Sequence, residues 1–523
     1  MPRRFAALLL VLGLVAAAPA LAQEPRDGAV RLTILHTNDL HGQVLEPPRR
    51  VGGLVALGRA IRQERDRARE RGDAVLLLDA GDLFKGTPEG DLTDGEVMVA
   101  WMNHMGYDAG VVGNHEFDHG VDVAARLAWG ADFPFLGANI RQPGGARPEW
   151  LGLPGARPGE PLHEALRGAA VVRTLTSAAG RARVALVGLT TSAMKEVTLK
   201  GVTGDLEFPD EAATLERVLE LLPPVDLVVL ITHCGLTTDR ALARRFQGKV
   251  DVIIGGHSHT RLPAGDRQGS VLVCQTGARA EALGRVRVAV TPARDGAPRR
   301  VTAEADLLPP GDELPGVLAP FIDKVKEKVG QRVGALVRDL ERGRGFEPSG
   351  LGNLHVDAMR QATGVDVALH NRSGIRGDLL AGEVQVRHLY EVAPFGNTVV
   401  TLLLSGKDLR ELLAGMLASP ARVLEVSGAV VMIDPEAAEG QRLVSVTVGG
   451  KPLDPDRTYK VATNNFLAAG GDGHVVFTRG ADVRDTGVVL LDLLMKHLRE
   501  RDPLDPGPVE PRLIVAQPAE APR

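Results

Sequence analysis

From residue 31 to about 306, short unbroken apolar runs alternate with stretches in which apolar positions recur three and four apart. The runs lie at 32–35, 74–78, 109–112, 184–189, 227–231 and 252–254, and the periodic stretches at 53–71, 95–105 and 211–222. Unbroken apolar runs predict strands buried on both faces, and the three-and-four spacing predicts amphipathic helices. Together they predict an α/β domain with buried sheets. Pro309, Pro310 and Gly311 close it. Residues 314–329 then place Val317, Leu318, Phe321, Ile322, Val325 and Val329 at helical spacing, either as a linker helix or as the first helix of a second domain. Further on, an amphipathic helix opens at Gly350 and a strand is predicted at 365–369.

The residues after the strands carry the chemistry. The third run stops at Gly113 and gives way to Asn114, His115, Glu116 and Asp118. Packing an amide, an imidazole and two carboxylates at a strand end stabilises nothing unless the groups pair or bind a metal. The first run is followed by Asp39 and His41, the second by Asp79 and Asp82, the fifth by His233, and the sixth by His257 and His259. Each cluster alone has a plain explanation: Asp39 as a turn residue, His233 as a satisfied strand-end histidine, Asn114–Asp118 as a turn with solvated charges. Five in succession at strand carboxyl ends, where open α/β sheets bind ligands, point to one site. Nitrogen and carboxylate-oxygen donors suit zinc, manganese, iron, cobalt, magnesium or a similar divalent ion. Seven such donors are too many for one tetrahedral ion but suit two ions sharing a carboxylate, about 3.5–4 Å apart, as in phosphoryl transfer.

These residues resemble the calcineurin-like metallophosphoesterases, in the motifs Asp39-Leu-His41, Gly81-Asp82, Gly113-Asn-His-Glu116, His233 and Gly256-His-Ser-His259. The resemblance implies a four-layer sandwich, helices flanking two stacked β-sheets. It implies that Asp82 bridges two ions, with Asp39, His41 and His259 on one and Asn114, His233 and His257 on the other. His115, oriented by Asp118, would stabilise or protonate the transferring phosphate group, and hydroxide formed at the metals would attack. His259 departs from the family, whose well-known members carry Gln or Asn there; imidazole is a sound ligand for the same ions.

The second half offers no nucleophile–base pairing and no metal spacing. It offers Arg, Asn and Asp, with Phe395 and Phe466 on Gly-rich loops in a chain only 3% aromatic. Two such rings could sandwich a base at ~1–3 kcal/mol per stack, or could be core residues beneath their loops. The motifs Asn371-x-x-Gly374-Ile-Arg376, Pro394-Phe-Gly and Asn465-Phe-Leu-x-x-Gly-Gly-Asp472-Gly resemble the C-terminal signature of the 5′-nucleotidase family, over about residues 30–500 in all. That resemblance implies a second α/β (α+β) nucleotide-binding domain joined by a helix. Phe395 and Phe466 would hold the base, with Asn371 touching it. Asp472 would hold the ribose hydroxyls, and Arg376 the phosphates beside Gly374. Arg344 would be a second phosphate ligand, with Arg342 as the fallback. It also implies that the second domain rotates to carry substrate to the metals.

Composition narrows the class. Charged residues at 24%, hydrophobic residues at 44% and a net charge of -5 describe a globular chain without the cationic excess of a nucleic-acid-polymer binder. Arg3 and Arg4, an apolar core at 8–18 and Ala20-Leu21-Ala22 predict a signal peptide over 1–22, hence an exported, periplasmic or secreted protein with no membrane span. The expected organisation is 23–311 for the phosphoesterase domain, 312–332 for the linker helix, 333–515 for the C-terminal domain and 516–523 for a tail. Cys234 and Cys274 could pair in an oxidising compartment or stay separate buried thiols. Monomer and dimer both stay open. The function expected is an exported metal-dependent 5′-nucleotidase acting on nucleoside monophosphates, with di- and triphosphates or nucleotide sugars as further candidate substrates. The alternatives are a 2′,3′-cyclic-nucleotide 2′-phosphodiesterase/3′-nucleotidase, a sulfur-oxidation relative, and a non-catalytic nucleotide-binding protein.

Overall fold

The computed structural model describes residues 29–45, 53–152, 160, 162–199, 201–293, 298–309, 318–419, 422–438 and 440–516. The predicted signal peptide and most of the predicted tail lie outside them. Among the described residues, twelve strands build the first half. They are β1 (Val30–Thr37), β2 (Ala74–Asp79), β3 (Ala109–Val111), β4 (Phe135–Leu136), β5 (Ala170–Ser177), β6 (Gly180–Thr190), β7 (Leu227–His233), β8 (Val252–Gly255), β9 (Asp266–Gln268), β10 (Val271–Cys274), β11 (Leu283–Thr291) and β12 (Arg300–Leu308). One sheet runs β12-β11-β1-β2-β3-β4 and the other β5-β6-β7-β8-β10-β9. Strands β1 to β4 pair in parallel, as do β6, β7, β8 and β10, while β12, β11 and β1 pair antiparallel, as do β5 with β6 and β9 with β10.

The apolar runs are unbroken because each sheet is covered twice. Leu32, Ile34, Leu76, Leu78 and Val111 face Val184, Leu186, Val229, Ile231 and Ile254 across the gap between the sheets. The alternate residues turn outward: Leu35 and Leu77 under the helices Leu54–Glu70 and Glu96–Met105, and Leu230 and Ile253 under Glu211–Leu221 and Leu236–Arg245. This is the expected four-layer arrangement of helix, sheet, sheet and helix. Cys234 and Cys274 are both buried and free.

The predicted helix after the first domain spans Ala319–Val329, its earlier residues lying outside those described. Leu318, Phe321 and Ile322 pack on the first half's core. In the second half, a sheet orders Leu424–Ser427, Val367–Asn371, Thr458–Asn464, Thr398–Ser405 and Ala481–Val489. The helices Gly350–Thr363 and Leu490–Arg499 cover one side of it. No described helix is long and apolar enough to cross a membrane.

Candidate active site

Each predicted metal ligand sits at or just after the carboxyl end of a strand, and the two facing sheets share the work. The first sheet supplies Asp39 and His41 after β1, Asp82 after β2 and Asn114 after β3. The second supplies His233 at the end of β7 and His257 and His259 after β8. The structure brings all seven together. Donor atoms of Asp39, His41, Asp82 and His259 fall within 4.8 Å of one another, and so do those of Asp82, His233 and His257, so the two groups share Asp82. Asn114 Oδ1 completes the second group, 3.2 Å from His233 Nε2 and 2.9 Å from His257 Nδ1.

Backbone shape holds the cluster. Asp39, His41, Asp82, His257 and His259 all have positive φ, between 50° and 75°. That region is costly for residues with a Cβ, and such residues gather where surrounding structure fixes them for function. Gly113 is required for a different reason: a Cβ there would collide with the Asp82 carboxylate and backbone.

Hydrogen bonds aim the side chains. His41 Nδ1 donates to the Lys85 carbonyl at 2.8 Å and His233 Nδ1 to the Ala80 carbonyl at 2.6 Å, which turns both Nε2 atoms into the cluster. Glu116 ties two turns together by accepting from the amides of Gly113 (2.6 Å), Leu83 (2.7 Å) and Asp82 (3.0 Å). Asn38 accepts from Thr276 N at 2.8 Å and donates to Gly277 O at 2.7 Å, locking the Asp39 turn to the second sheet. Gln275 holds the His257–His259 turn through Gly256 O and Thr260 N. The sequence alone assigns no role to Glu116, Asn38 or Gln275. The available signals are position alone: Asn38 flanks Asp39, Gln275 follows the strand Val271–Cys274, and Glu116 belongs to the Asn-His-Glu motif.

Electrostatics agree with a cation site. Burial pulls the His233 pKa down, but the adjacent Asp82 carboxylate outweighs it and brings it to about 10. The field that favours a proton there also favours a metal cation. Burial, with His259 and Arg376, holds His41 well below its ordinary value, keeping it neutral as a ligand must be. His115 stands beside the cluster, its Nδ1 2.7 Å from Asp118 Oδ2 and its Nε2 3.8 Å from Asp82. Burial lowers its pKa, but Asp118 and Asp82 raise it further, so the net shift is upward. Acidic and nitrogen donors, buried and individually oriented, fit divalent ions.

The second half meets this cluster in a cavity of about 440 Å³. Arg376 Nη2 lies 3.3 Å from His41 Nε2, and its guanidinium sits 5.6 Å from the Phe395 ring centroid. Phe395 in turn stacks on His115 at 5.6 Å and 18°. Asn371, Gly374, Phe466 and Asp472 line the same cavity. Phe395 and Phe466 are only partly buried on its wall, not sealed in the core. Asp472 accepts from Ser373 Oγ at 2.6 Å and from Asn371 Nδ2 at 2.9 Å. Asn397 also lines the cavity, with a buried Oδ1 that has no partner among the described residues. The sequence assigns no role to Ser373 or Asn397, although Ser373 falls inside one informative motif and Asn397 directly follows another. Arg344 is exposed and is not among the lining residues. Its alternative, Arg342, donates to the Ile375 carbonyl at 3.1 Å and acts electrostatically on Arg376.

A cluster of this kind, across two sheets of a four-layer sandwich, defines a metal-dependent phosphoesterase. The calcineurin-like phosphoesterase profile matches residues 32–261, and the profile of the 5′-nucleotidase C-terminal domain matches 328–479. The chain is 29% identical to protein UshA of Yersinia enterocolitica over 543 residues, covering 93% of this chain and 94% of that protein. It is 29% identical to a 5′-nucleotidase of Vibrio cholerae, covering 96% of each. A 5′-nucleotidase precursor from Thermus thermophilus superposes with a TM-score of 0.77 at 29% identity, covering 94% of this chain and all of that one. The chain belongs to the 5′-nucleotidase family, which joins a calcineurin-like phosphoesterase domain to a 5′-nucleotidase C-terminal domain.

Proposed function

We propose that this metal-dependent phosphomonoesterase is an exported 5′-nucleotidase that releases phosphate from nucleoside 5′-phosphates, with two divalent ions. Asp39, His41 and His259 would hold one ion, Asn114, His233 and His257 the other, and Asp82 both. When bound, such ions supply Lewis acidity and lower the pKa of water to near neutrality. The observation that carries the substrate class is one cavity lined by both halves. Arg376, reaching within 3.3 Å of His41, is placed to clamp a phosphate beside the ligands, while Phe395 and Phe466 offer faces to a base. The 5′-nucleotidase of Vibrio cholerae, a relative spanning nearly the whole chain, supports the same substrate class by its name.

In this reading Asp118 accepts the Nδ1 proton of His115, and the nearby carboxylates of Asp118 and Asp82 outweigh burial and favour the imidazolium, which carries a second proton on Nε2. The ring offers that second proton to a phosphoryl or leaving-group oxygen. Arg376 binds and orients the phosphate, Phe395 and Phe466 exclude water around the base, and Asp472 accepts from the ribose hydroxyls. Arg342 or Arg344 adds a second phosphate contact. Residues 1–22 direct export. The domains are 23–311 and 333–515, joined over 312–332. The test is phosphate release from AMP, ATP, UDP-glucose, 3′-AMP and 2′,3′-cyclic AMP under added zinc, manganese, cobalt or magnesium, with a chelated control. A coupled phosphatase serves the UDP-glucose and cyclic substrates. Metal-dependent release from AMP or ATP, with little from the 3′ and cyclic compounds, is expected. The reverse preference would replace the 5′ reading with the cyclic-phosphodiesterase one.

A further inference from the structure

The described residues enclose a second hollow, of about 460 Å³, that shares no lining residue with the first. It lies on the first half, between the segment Arg141–Glu149, the short turn Glu164–Leu166 and the helix Glu211–Leu221. Four arginines line it, Arg141, Arg147, Arg167 and Arg217, against two carboxylates, Glu149 and Glu164. Glu164 is taken up by Arg167 at 3.7 Å. Arg147 is anchored by neutral carbonyls, Ala138 O at 3.0 Å and Ala165 O at 2.6 Å, so its charge stays uncancelled. The side chains of Arg141 and Arg217 have no hydrogen-bond or ion-pair partner among the described residues. Arg141 is nevertheless fixed, because its backbone exchanges two hydrogen bonds of 2.9 Å with Glu207.

These charges act on one another. Burial and then Arg217 hold Arg141 below the usual arginine range, and burial and then Arg141 bring Arg147 to about 10. Gathering like charges in a concavity is unfavourable unless an anion or water offsets them. Here it happens in a chain whose net charge is -5, so the local field opposes the global one. The walls between the arginines are apolar: Pro148, Pro209, Val218 and Leu221, the last 45% exposed. Guanidinium forks over an apolar floor match phosphate oxygens attached to a small body.

We propose that this hollow is a second anion site that binds a small phosphate-bearing molecule, with Arg141 and Arg217 as its charge-assisted donors. It stands apart from the metal cluster and from any reaction there, so it is independent of the activity proposed above. The test is calorimetric titration of the metal-loaded protein with inorganic phosphate, comparing the parent, Arg141→Ala/Arg217→Ala and Arg217→Glu. The parent is expected to take up one phosphate that the double variant has lost or binds at least about tenfold more weakly, with Arg217→Glu behaving alike. Turnover and melting temperature of the variants should match the parent, because neither arginine touches the metal cluster. Unchanged stoichiometry and affinity in both variants would overturn the proposal. So would a loss of phosphate binding that follows a lowered melting temperature, since it would mark the arginines as structural.

Discussion

The two halves build their share of the cavity by opposite means. In the first, the ligands ride on turns between buried strands, five of the seven at positive φ, and backbone carbonyls or amides aim the side chains. In the second, Asn371 ends the strand Val367–Asn371, Phe466 lies on the short helix Asn465–Ala468, and Phe395 and Asp472 sit on turns; the polar side chains among them mainly bond one another and Ser373. Asp472 is again at positive φ, 53°, but it is held by two side chains, not by a sheet. The difference teaches where precision is needed: ions tolerate little displacement of their donors, whereas a base between aromatic faces tolerates more.

The comparison can be broken most severely at the bridging carboxylate. Asp82→Asn should lower phosphate release from AMP by about 10⁴ or more and reduce bound metal, measured by turnover and elemental analysis. Full metal content with ordinary turnover would refute a shared ligand. His115→Asn should lower kcat by ~10²–10⁴ with metal content intact. Equal rates in variant and parent would remove His115 from the chemistry. Asp118→Asn should cost about 10–100-fold, as expected for a residue that orients another. A larger loss than at His115 would mean that Asp118 contacts the substrate itself.

Across the cavity the expected effects are smaller and of another kind. Phe466→Ala should raise KM for AMP about tenfold, from ~1–3 kcal/mol of stacking, and leave kcat nearly unchanged. A loss confined to kcat would rule out the stacking role. The smallest effect concerns the seam between the halves, where Arg387 Nη1 lies 3.4 Å from Glu89 and Arg279 Nη2 donates to Arg376 O at 2.8 Å. Burial pushes Glu391 there up to about 7, partly offset by Arg279 and reinforced by Glu89. Because the folded state binds this proton more tightly than the unfolded one, its contribution to stability falls as pH rises from about 4.5 to about 7. Glu391→Gln should flatten that part of the melting-temperature profile by about a degree or two, because a few kcal/mol moves the melting temperature of so long a chain only slightly. An identical profile would show that the group does not titrate on folding.

Legibility in the sequence followed the same division. The helix predicted at 211–222 is Glu211–Leu221, and the strand predicted at 227–231 is the core of Leu227–His233, because elements buried on their packed faces write that burial into their apolar spacing. The antiparallel edge strands β5, β9 and β12, and β11 beside β12, go unpredicted. β12 is partly exposed along most of its length, and Ala481–Val489 is exposed nearly throughout, so neither carries a readable alternation. At the site, the ligand types are legible because seven chemically unusual residues follow strand ends. The residues that aim them are not. Asn38 acts across 238 positions and between the two sheets, and Gln275 across 19 positions between neighbouring strand ends of one sheet, pairings that appear only once the strands are placed side by side. Ser373 and Asn397 look like ordinary loop residues until Asp472 and Phe395 are placed beside them.

The split of the ligands between the sheets bears on how the protein would acquire its metals. Asp39, His41, Asp82 and Asn114 come from one sheet and His233, His257 and His259 from the other, so neither sheet alone presents a complete set for either ion. A nascent chain therefore has no high-affinity trap until both sheets have docked. Once they have, the donors are already turned inward, and little ordering entropy is left to lose on capture. On the proposed ligand set, metal loading would therefore follow the docking of the two sheets and would report that the sandwich has closed.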